Sequence, residues 1–130
     1  MKVNNKNIGG KVVKDNETYL LEDNNLLNNL TLSKTTLKIG KSTNGHSHDN
    51  EEEVYFFMNG TATMTIGDDH YPAQKGDIFL IPAGKFHRVK NVGFEDCEFV
   101  CVFQKYDRDS EAAVYKPDLE YDEDNIPFGD

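Results

Sequence analysis

Short segments in which polar and apolar residues alternate, separated by turn residues, occupy most of the chain. The alternation is clearest over residues 53–58, 61–66 and 95–105, and residues 30–39 are rich in β-branched side chains. Side chains of a strand alternate between its two faces, and β-branched residues favour strands. Clusters of Gly, Pro, Asn and Asp separate these segments, and no stretch has a convincing helical period. The pattern predicts an all-β sandwich or closed barrel of seven or more short strands.

The strand predicted over residues 53–58 is largely apolar on both faces. One face carries Glu53, Tyr55 and Phe57, and the other carries Val54, Phe56 and Met58. Such a strand is expected to be buried on both sides, with its second face packed on another sheet. Asn59–Gly60, which follows, predicts a hairpin turn into the next strand.

The length of 130 residues fits one domain with three parts. Residues 1–29 are predicted to form short strands and loops at the edge of the barrel, with turns around the Asn-rich stretch at 24–29. Residues 30–106 are predicted to form the barrel itself. Residues 107–130 are an acidic extension, whose apolar side chains favour partial docking on the barrel or on a partner.

Charge and composition narrow the range of partners. The net charge is −9, and most of it lies in residues 107–130, which hold nine acidic and two basic residues. Nucleic-acid binding is disfavoured because no basic face is available to neutralise phosphates. The sequence has no long apolar run for a membrane span and no signal-peptide pattern at its start, so we expect a cytoplasmic protein. Cys97 and Cys101 are expected to be reduced.

Three of the four histidines cluster with a glutamate in a pattern typical of a metal site. His46 and His48 stand two residues apart, so on an extended strand both imidazoles point to one side. Glu53 adds a carboxylate, and His87 could bring a third imidazole from a different part of the sheet. Nitrogen and oxygen donors of this kind suit a divalent transition metal better than calcium or magnesium. His70 lies outside this pattern and is expected to face solvent.

Two motifs make the resemblance to a known family specific. The spacing G-x5-H-x-H-x4-E-x6-G is met from Gly40 to Gly60, and G-x5-P-x-G-x2-H-x3-N is met from Gly76 to Asn91, with 15 residues between them. The chain thus resembles a single-domain cupin of the small RmlC-like jelly-roll type. The resemblance covers residues 40–91.

The resemblance implies a double-stranded β-helix, the jelly-roll barrel, with one divalent metal ion. It implies the ligands His46, His48, Glu53 and His87, with open positions for water or a small-molecule substrate. In family members the metal is iron, manganese, nickel, zinc, cobalt or copper, and donor type alone cannot separate these. The resemblance also implies a homodimer.

Outside the ligand set, Tyr55 is the best candidate for chemistry. It shares the face of Glu53 and carries a phenol that can exchange a proton, although a core aromatic residue would show the same pattern. Phe57, Phe99 and Phe103 are expected to line the lumen. Lys85 and Arg88 flank His87 and could meet an anionic substrate. The alternation directs Arg88 away from His87, and Lys85 lies in the bend before it, so a solvated surface is favoured for both. Tyr106 is a weaker candidate.

Three functions fit these features. The first is a metal-dependent isomerase, dioxygenase, decarboxylase or lyase acting on a small oxygen-rich molecule, such as a keto acid, dicarboxylate, polyol or sugar phosphate. The second is a non-catalytic small-molecule or sugar-binding sensor, and the third is a structural or storage barrel. The sequence favours the first but leaves open the metal, the substrate and whether the protein is an enzyme.

Overall fold

The computed structural model describes residues 1–45, 47 and 50–105. Within these ranges the chain forms strands, turns and loops and no helix. The strands are β1 (Lys11–Asp15), β2 (Tyr19–Asn24), β3 (Leu30–Leu37), β4 (Glu53–Asn59), β5 (Thr61–Ile66), β6 (Asp69–Gln74), β7 (Ile78–Ile81), β8 (His87–Asn91) and β9 (Cys97–Gln104). The acidic extension, Tyr106, His46 and His48 lie outside the described residues.

The strands of the described ranges form two antiparallel sheets that enclose one core. The larger sheet has six strands in the order β1-β2-β3-β9-β4-β7, and the smaller has three in the order β6-β5-β8. The chain changes sheet between β4 and β5, between β6 and β7, and at both ends of β8. This alternation between two facing sheets is the jelly-roll topology, so the all-β, double-stranded β-helix prediction is confirmed.

The hairpin predicted at Asn59–Gly60 is wrong. The strand before it, β4, pairs with β7 and β9, whereas β5 pairs with β6 and β8. Gly60 has φ 83°, and a Cβ added there would lie 2.8 Å from the Asp96 carbonyl oxygen. The glycine therefore allows a tight corner at which the chain passes from one sheet to the other. Turn residues alone do not distinguish such a corner from a hairpin.

The alternation pattern of the sequence does not indicate β6, whose segment contains Tyr71–Pro72. Pro72 lacks a backbone N–H and is normally excluded from central strands. β6 is an edge strand of the smaller sheet, with Pro72 opposite Thr63, so the missing donor is tolerated. The short strands expected within residues 1–29 are β1 and β2.

The core lies between the two sheets and is built around aromatic rings of the larger one. Phe57 contacts Phe99 at 5.2 Å between ring centroids and meets Phe79 edge-on at 5.7 Å. Met64 and Val89 close the core from the smaller sheet and are fully buried. Aromatic pairs of this kind contribute about 0.5–1.5 kcal/mol each beyond the area that they bury. The inward face of β4 is therefore held rigidly.

The outward face of β4 differs from the prediction that both of its sides are buried. Phe56 is 40% exposed, and Leu80 on the neighbouring β7 is 72% exposed. The N-terminal segment covers another part of the same sheet, where the Asn24 side-chain amide donates to the Ile8 carbonyl oxygen at 2.7 Å and Ile8 is buried. An alternation pattern shows which faces of a strand are apolar. It does not show whether another segment of the same chain packs on those faces.

Candidate metal centre

Glu53 opens β4 and points into the space between the sheets. Its side chain is 9% exposed, and its strand neighbours are Ile81 on β7 and Phe103 on β9. The alternation predicted for residues 53–57 is confirmed, because Glu53, Tyr55 and Phe57 are all buried on the inward face. A carboxylate in this position is costly unless a cation or hydrogen-bond donors meet it.

His87 opens β8 in the opposite sheet and faces Glu53. The chain turns after β7, where Lys85 N–H donates to the Pro82 carbonyl oxygen at 3.2 Å and Gly84 has φ 79°. The His87 imidazole is 2% exposed, and its Nε2 lies 3.1 Å from Glu53 Oε1. Two residues 34 positions apart in the sequence thus meet across the barrel.

The second nitrogen of His87 fixes the orientation of the ring. Nδ1 lies 2.9 Å from the Lys85 carbonyl oxygen. Because a carbonyl oxygen can only accept, Nδ1 carries the hydrogen and donates it. In the neutral imidazole the lone pair is then on Nε2, directed toward the Glu53 carboxylate. Two acceptors at this separation repel each other unless a proton or a metal ion lies between them.

This donor pair fits a divalent metal ion. A histidine that ligates a metal through Nε2 usually donates its other ring N–H to a carbonyl or carboxylate, as His87 does. Among the described residues, no group of three or more His, Cys, Asp or Glu side chains is arranged to hold a metal ion. The other two predicted ligands, His46 and His48, are outside the described residues, so the complete set stays a prediction.

The segment that leads to His46 lies directly against the strand that begins with His87. Thr43 N–H donates to the Val89 carbonyl oxygen at 2.9 Å, and Val89 N–H donates to Thr43 Oγ1 at 3.0 Å. Gly45 is buried so closely against the Phe86 ring that an added Cβ would lie 1.9 Å from Phe86 Cζ. The residue before His46 therefore contacts the residue before His87.

Tyr55 lies one pleat further into the barrel from Glu53. Its ring meets the His87 ring edge-on, with 5.6 Å between centroids, and stacks on Phe99 at 5.4 Å. The residue is 6% exposed and belongs to the hydrophobic core. Tyr55 is thus adjacent to the Glu53–His87 pair and also packs as a core aromatic residue, and its catalytic role stays a prediction.

The prediction that Arg88 is a solvated surface residue is wrong. Arg88 is 1% exposed, and its Nε–H donates to the Thr43 carbonyl oxygen at 3.3 Å. The sequence pattern missed this because it places Arg88 on the outward side of β8, which is a surface in a two-sheet barrel. Residues 41–45 run along this strand, and that long-range pairing has no local signature. Lys85 is exposed, as expected, and so is His70.

The two cysteines of β9 are free thiols, as predicted. Burial, with a smaller contribution from the charge of Glu98, raises the pKa of Cys97 to about 12. A raised thiol pKa disfavours the thiolate, which is the nucleophilic form. Cys97 therefore acts as a small core residue.

Within the described ranges, no helix has the length and apolar character needed to cross a membrane.

Comparisons with known proteins identify the family and a number of relatives. The family model described as Cupin domain matches residues 33–103. An uncharacterized protein of Methanocaldococcus jannaschii is 28% identical over 71 residues, which are 55% of this chain and 57% of that protein. The oxalate-binding protein of Thermotoga maritima is 29% identical over 70 residues, which are 54% of this chain and 58% of that protein. The chain thus matches less than two thirds of the length of these relatives.

A solved structure with the same fold is an RmlC-like cupin from Shewanella frigidimarina. It superposes with a TM-score of 0.67 and 14% identity, covering 78% of this chain and 89% of that one. At this level of identity the likeness concerns the fold.

Proposed function

Because the chain belongs to the cupin family, we propose that it binds one divalent transition metal ion through His46, His48, Glu53 and His87. The observation that carries the proposal is the Glu53–His87 pair, in which a carboxylate oxygen and a ring nitrogen lie 3.1 Å apart inside the barrel. The hydrogen bond from His87 Nδ1 to the Lys85 carbonyl oxygen supports it, since that bond leaves Nε2 as the metal donor. Iron, manganese, nickel, zinc, cobalt and copper all accept this donor set.

We propose that the site acts on a small oxygen-rich molecule, such as a keto acid, dicarboxylate, polyol or sugar phosphate. When bound, the metal ion supplies Lewis-acid polarisation of a substrate oxygen and positions that a chelating substrate can fill. The name of the Thermotoga maritima relative, an oxalate-binding protein, makes dicarboxylates the first class to test. The reaction would be an isomerisation, oxygenation, decarboxylation or elimination.

The residues of this chain would orient the substrate and exclude water. Phe79, Phe99 and Phe103 surround the Glu53–Tyr55 face with apolar side chains, which strengthens electrostatic interactions nearby. Tyr55, whose ring meets the His87 ring edge-on, is the candidate proton donor or acceptor for a bound molecule. Its stacking on Phe99 restricts rotation of the ring.

A second candidate function is ligand binding without turnover, as in a sensor or sugar-binding protein. The Thermotoga maritima relative favours it, because that relative is an oxalate-binding protein. In that case the metal ion would hold a ligand that is released unchanged.

Turnover separates the two functions. Protein loaded in turn with each of the six metals is mixed with representative keto acids, dicarboxylates, polyols and sugar phosphates, and the mixtures are followed by proton NMR. Conversion of one class that stops on chelation and returns on reloading would support the enzyme. A rise in melting temperature with the ligand recovered intact would support the binding protein. A metal-loaded protein that neither converts nor binds any class would rule out both.

We also propose a homodimer formed through the outward face of the larger sheet, which the described residues leave partly exposed. Five partly exposed apolar side chains lie next to one another across three strands there: Val54, Phe56, Ile78, Leu80 and Val102. In a two-fold dimer a patch meets its own copy, so an uncharged apolar patch is self-complementary.

A further inference from the structure

Arg88 is the largest fully buried side chain of the described residues. It lies on β8 directly after His87, with Thr65 of β5 as its cross-strand neighbour. Thr65 is buried as well, at 2% exposure. Arginine stays charged at any pH that a folded protein tolerates, so removing its guanidinium from water is costly without hydrogen-bond acceptors. A buried arginine on the outward face of a strand is therefore expected to hydrogen-bond to a segment that packs over that face.

The described contacts of Arg88 connect it to the segment before His46. Its Nε–H donates to the Thr43 carbonyl oxygen at 3.3 Å. Thr43 already exchanges hydrogen bonds with Val89, and Asn91 N–H donates to the Lys41 carbonyl oxygen at 2.9 Å. Residues 41–43 thus run along β8 as an added partial strand, and the side chain of Arg88 reaches the backbone of that strand.

The contacts on either side of His87 act on the same segment. Phe86, before His87, packs against Gly45, and Arg88, after it, bonds to Thr43. These two contacts hold the chain at two points within the three residues that precede His46. The backbone that leads to the predicted ligand His46 is thereby fixed relative to the strand of His87.

We propose that Arg88 is a positioning residue that holds residues 41–45 on β8 and so sets His46 and His48 in register with His87. This inference rests on the proposed metal site. It assigns a function to a residue at an unspecified position of the second motif. Arg88 acts through the Thr43 backbone and has no direct role in chemistry.

The test compares Arg88→Met with Lys90→Met. Lys90 points outward from the same strand and is only half-buried, so its substitution controls for loss of charge and for general effects on β8. Cobalt(II) affinity is measured by competition with a chelator, and the visible spectrum of bound cobalt reports the ligand set. We expect Arg88→Met to bind cobalt at least about tenfold more weakly, the usual effect of losing a group that orients a ligand, with an altered spectrum. Lys90→Met should match the wild type in both.

Backbone amide hydrogen exchange, measured in metal-free protein, is a second and independent readout. Arg88→Met should speed exchange at Thr43, Asn44 and Gly45 while leaving the core of β5 protected. A merely structural role predicts faster exchange throughout the smaller sheet with an unchanged cobalt spectrum. If wild-type protein bound no metal, the metal-site proposal would fail, while the exchange result would still decide whether Arg88 holds this segment.

Arg88→Lys provides a variant with a smaller change in case Arg88→Met does not fold. It keeps the positive charge but lacks the guanidinium Nε–H that donates to the Thr43 carbonyl oxygen. We expect weaker cobalt binding and faster exchange over residues 43–45, in the same direction as for Arg88→Met. Wild-type cobalt affinity and exchange in the variants that fold would overturn the proposal.

Discussion

At the scale of single residues, the Glu53–His87 pair brings a carboxylate oxygen and a ring nitrogen together inside the barrel. Because His87 Nδ1–H is donated to the Lys85 carbonyl oxygen, the Nε2 lone pair and the Glu53 carboxylate need a proton or a metal ion between them. The pair is therefore suited to bind a positive charge. A substitution that replaces the carboxylate by a neutral hydrogen-bond donor should preserve the stability of the metal-free protein but weaken metal binding.

Glu53→Gln tests this separation directly. The Gln amide can donate a hydrogen bond to His87 Nε2, so we expect the metal-free variant to melt at the wild-type temperature or above. Metal affinity should fall by more than the 10- to 100-fold that loss of an outer-sphere partner typically costs. Thermal unfolding in chelator and a metal titration measure the two effects. Glu52→Gln, at an exposed position, is the control, and a metal-free Glu53→Gln protein much less stable than the wild type would contradict this description of the pair.

Tyr55→Phe tests whether the phenol takes part in chemistry. The variant keeps the ring that stacks on Phe99 and loses only the hydroxyl. Once a substrate has been found, we expect kcat to fall about 10²-fold or more with little change in metal content, as for loss of a general acid or base. Tyr71→Phe, at the surface-exposed Tyr71, should have wild-type kcat. An unchanged kcat in Tyr55→Phe would make Tyr55 a core residue only.

At the scale of elements, strands with regular alternation were predictable from the sequence. The connections between strands, and the burial of one strand by a segment distant in the sequence, were not. β4, β5 and β9 were found because each repeats a two-residue period, and the two motifs located Glu53 and His87. β6 was missed because its proline is allowed only at a sheet edge, and edge position depends on the whole topology. The burial of Arg88 was missed because it depends on residues 41–45 pairing with β8.

The close contact between Gly45 and Phe86 gives an element-scale prediction. Gly45→Ala would place a Cβ 1.9 Å from Phe86 Cζ, so the ring or the segment must move. We expect a loss of about 1–3 kcal/mol in the free energy of unfolding, the typical cost of overpacking. Urea unfolding measures it. In the background of Phe86→Ala the same Gly45→Ala change should cost much less, and equal costs in both backgrounds would show that the contact does not matter.

At the scale of the whole molecule, one sheet has a face that the described residues leave partly open. The N-terminal segment packs over part of the larger sheet near β2, while apolar residues on β4, β7 and β9 remain accessible. A strand that is apolar on both sides fits a barrel whose second layer comes from another copy of the chain. Residues 107–130 are the other possible cover.

Leu80→Lys tests the proposed dimer. Leu80 is 72% exposed on β7, the edge strand of this apolar face, so a lysine there should place a charge from each copy in the apolar two-fold interface. We expect the wild type to be dimeric and the variant monomeric in light scattering after gel filtration, with a similar circular dichroism spectrum. Leu27→Lys, 60% exposed and outside this face, is the control. A monomeric wild type would contradict the dimer proposal and would leave residues 107–130 as the proposed cover of this face.

The central claim is that the barrel holds one metal ion among four residues drawn from both motifs. Anomalous diffraction from crystals of metal-loaded protein, collected on both sides of the absorption edge of that metal, tests it most directly. We predict a single strong peak within about 2.0–2.3 Å of donor atoms from His46, His48, Glu53 and His87. A peak at another location, or no peak in a protein loaded with any of the six metals, would contradict the claim.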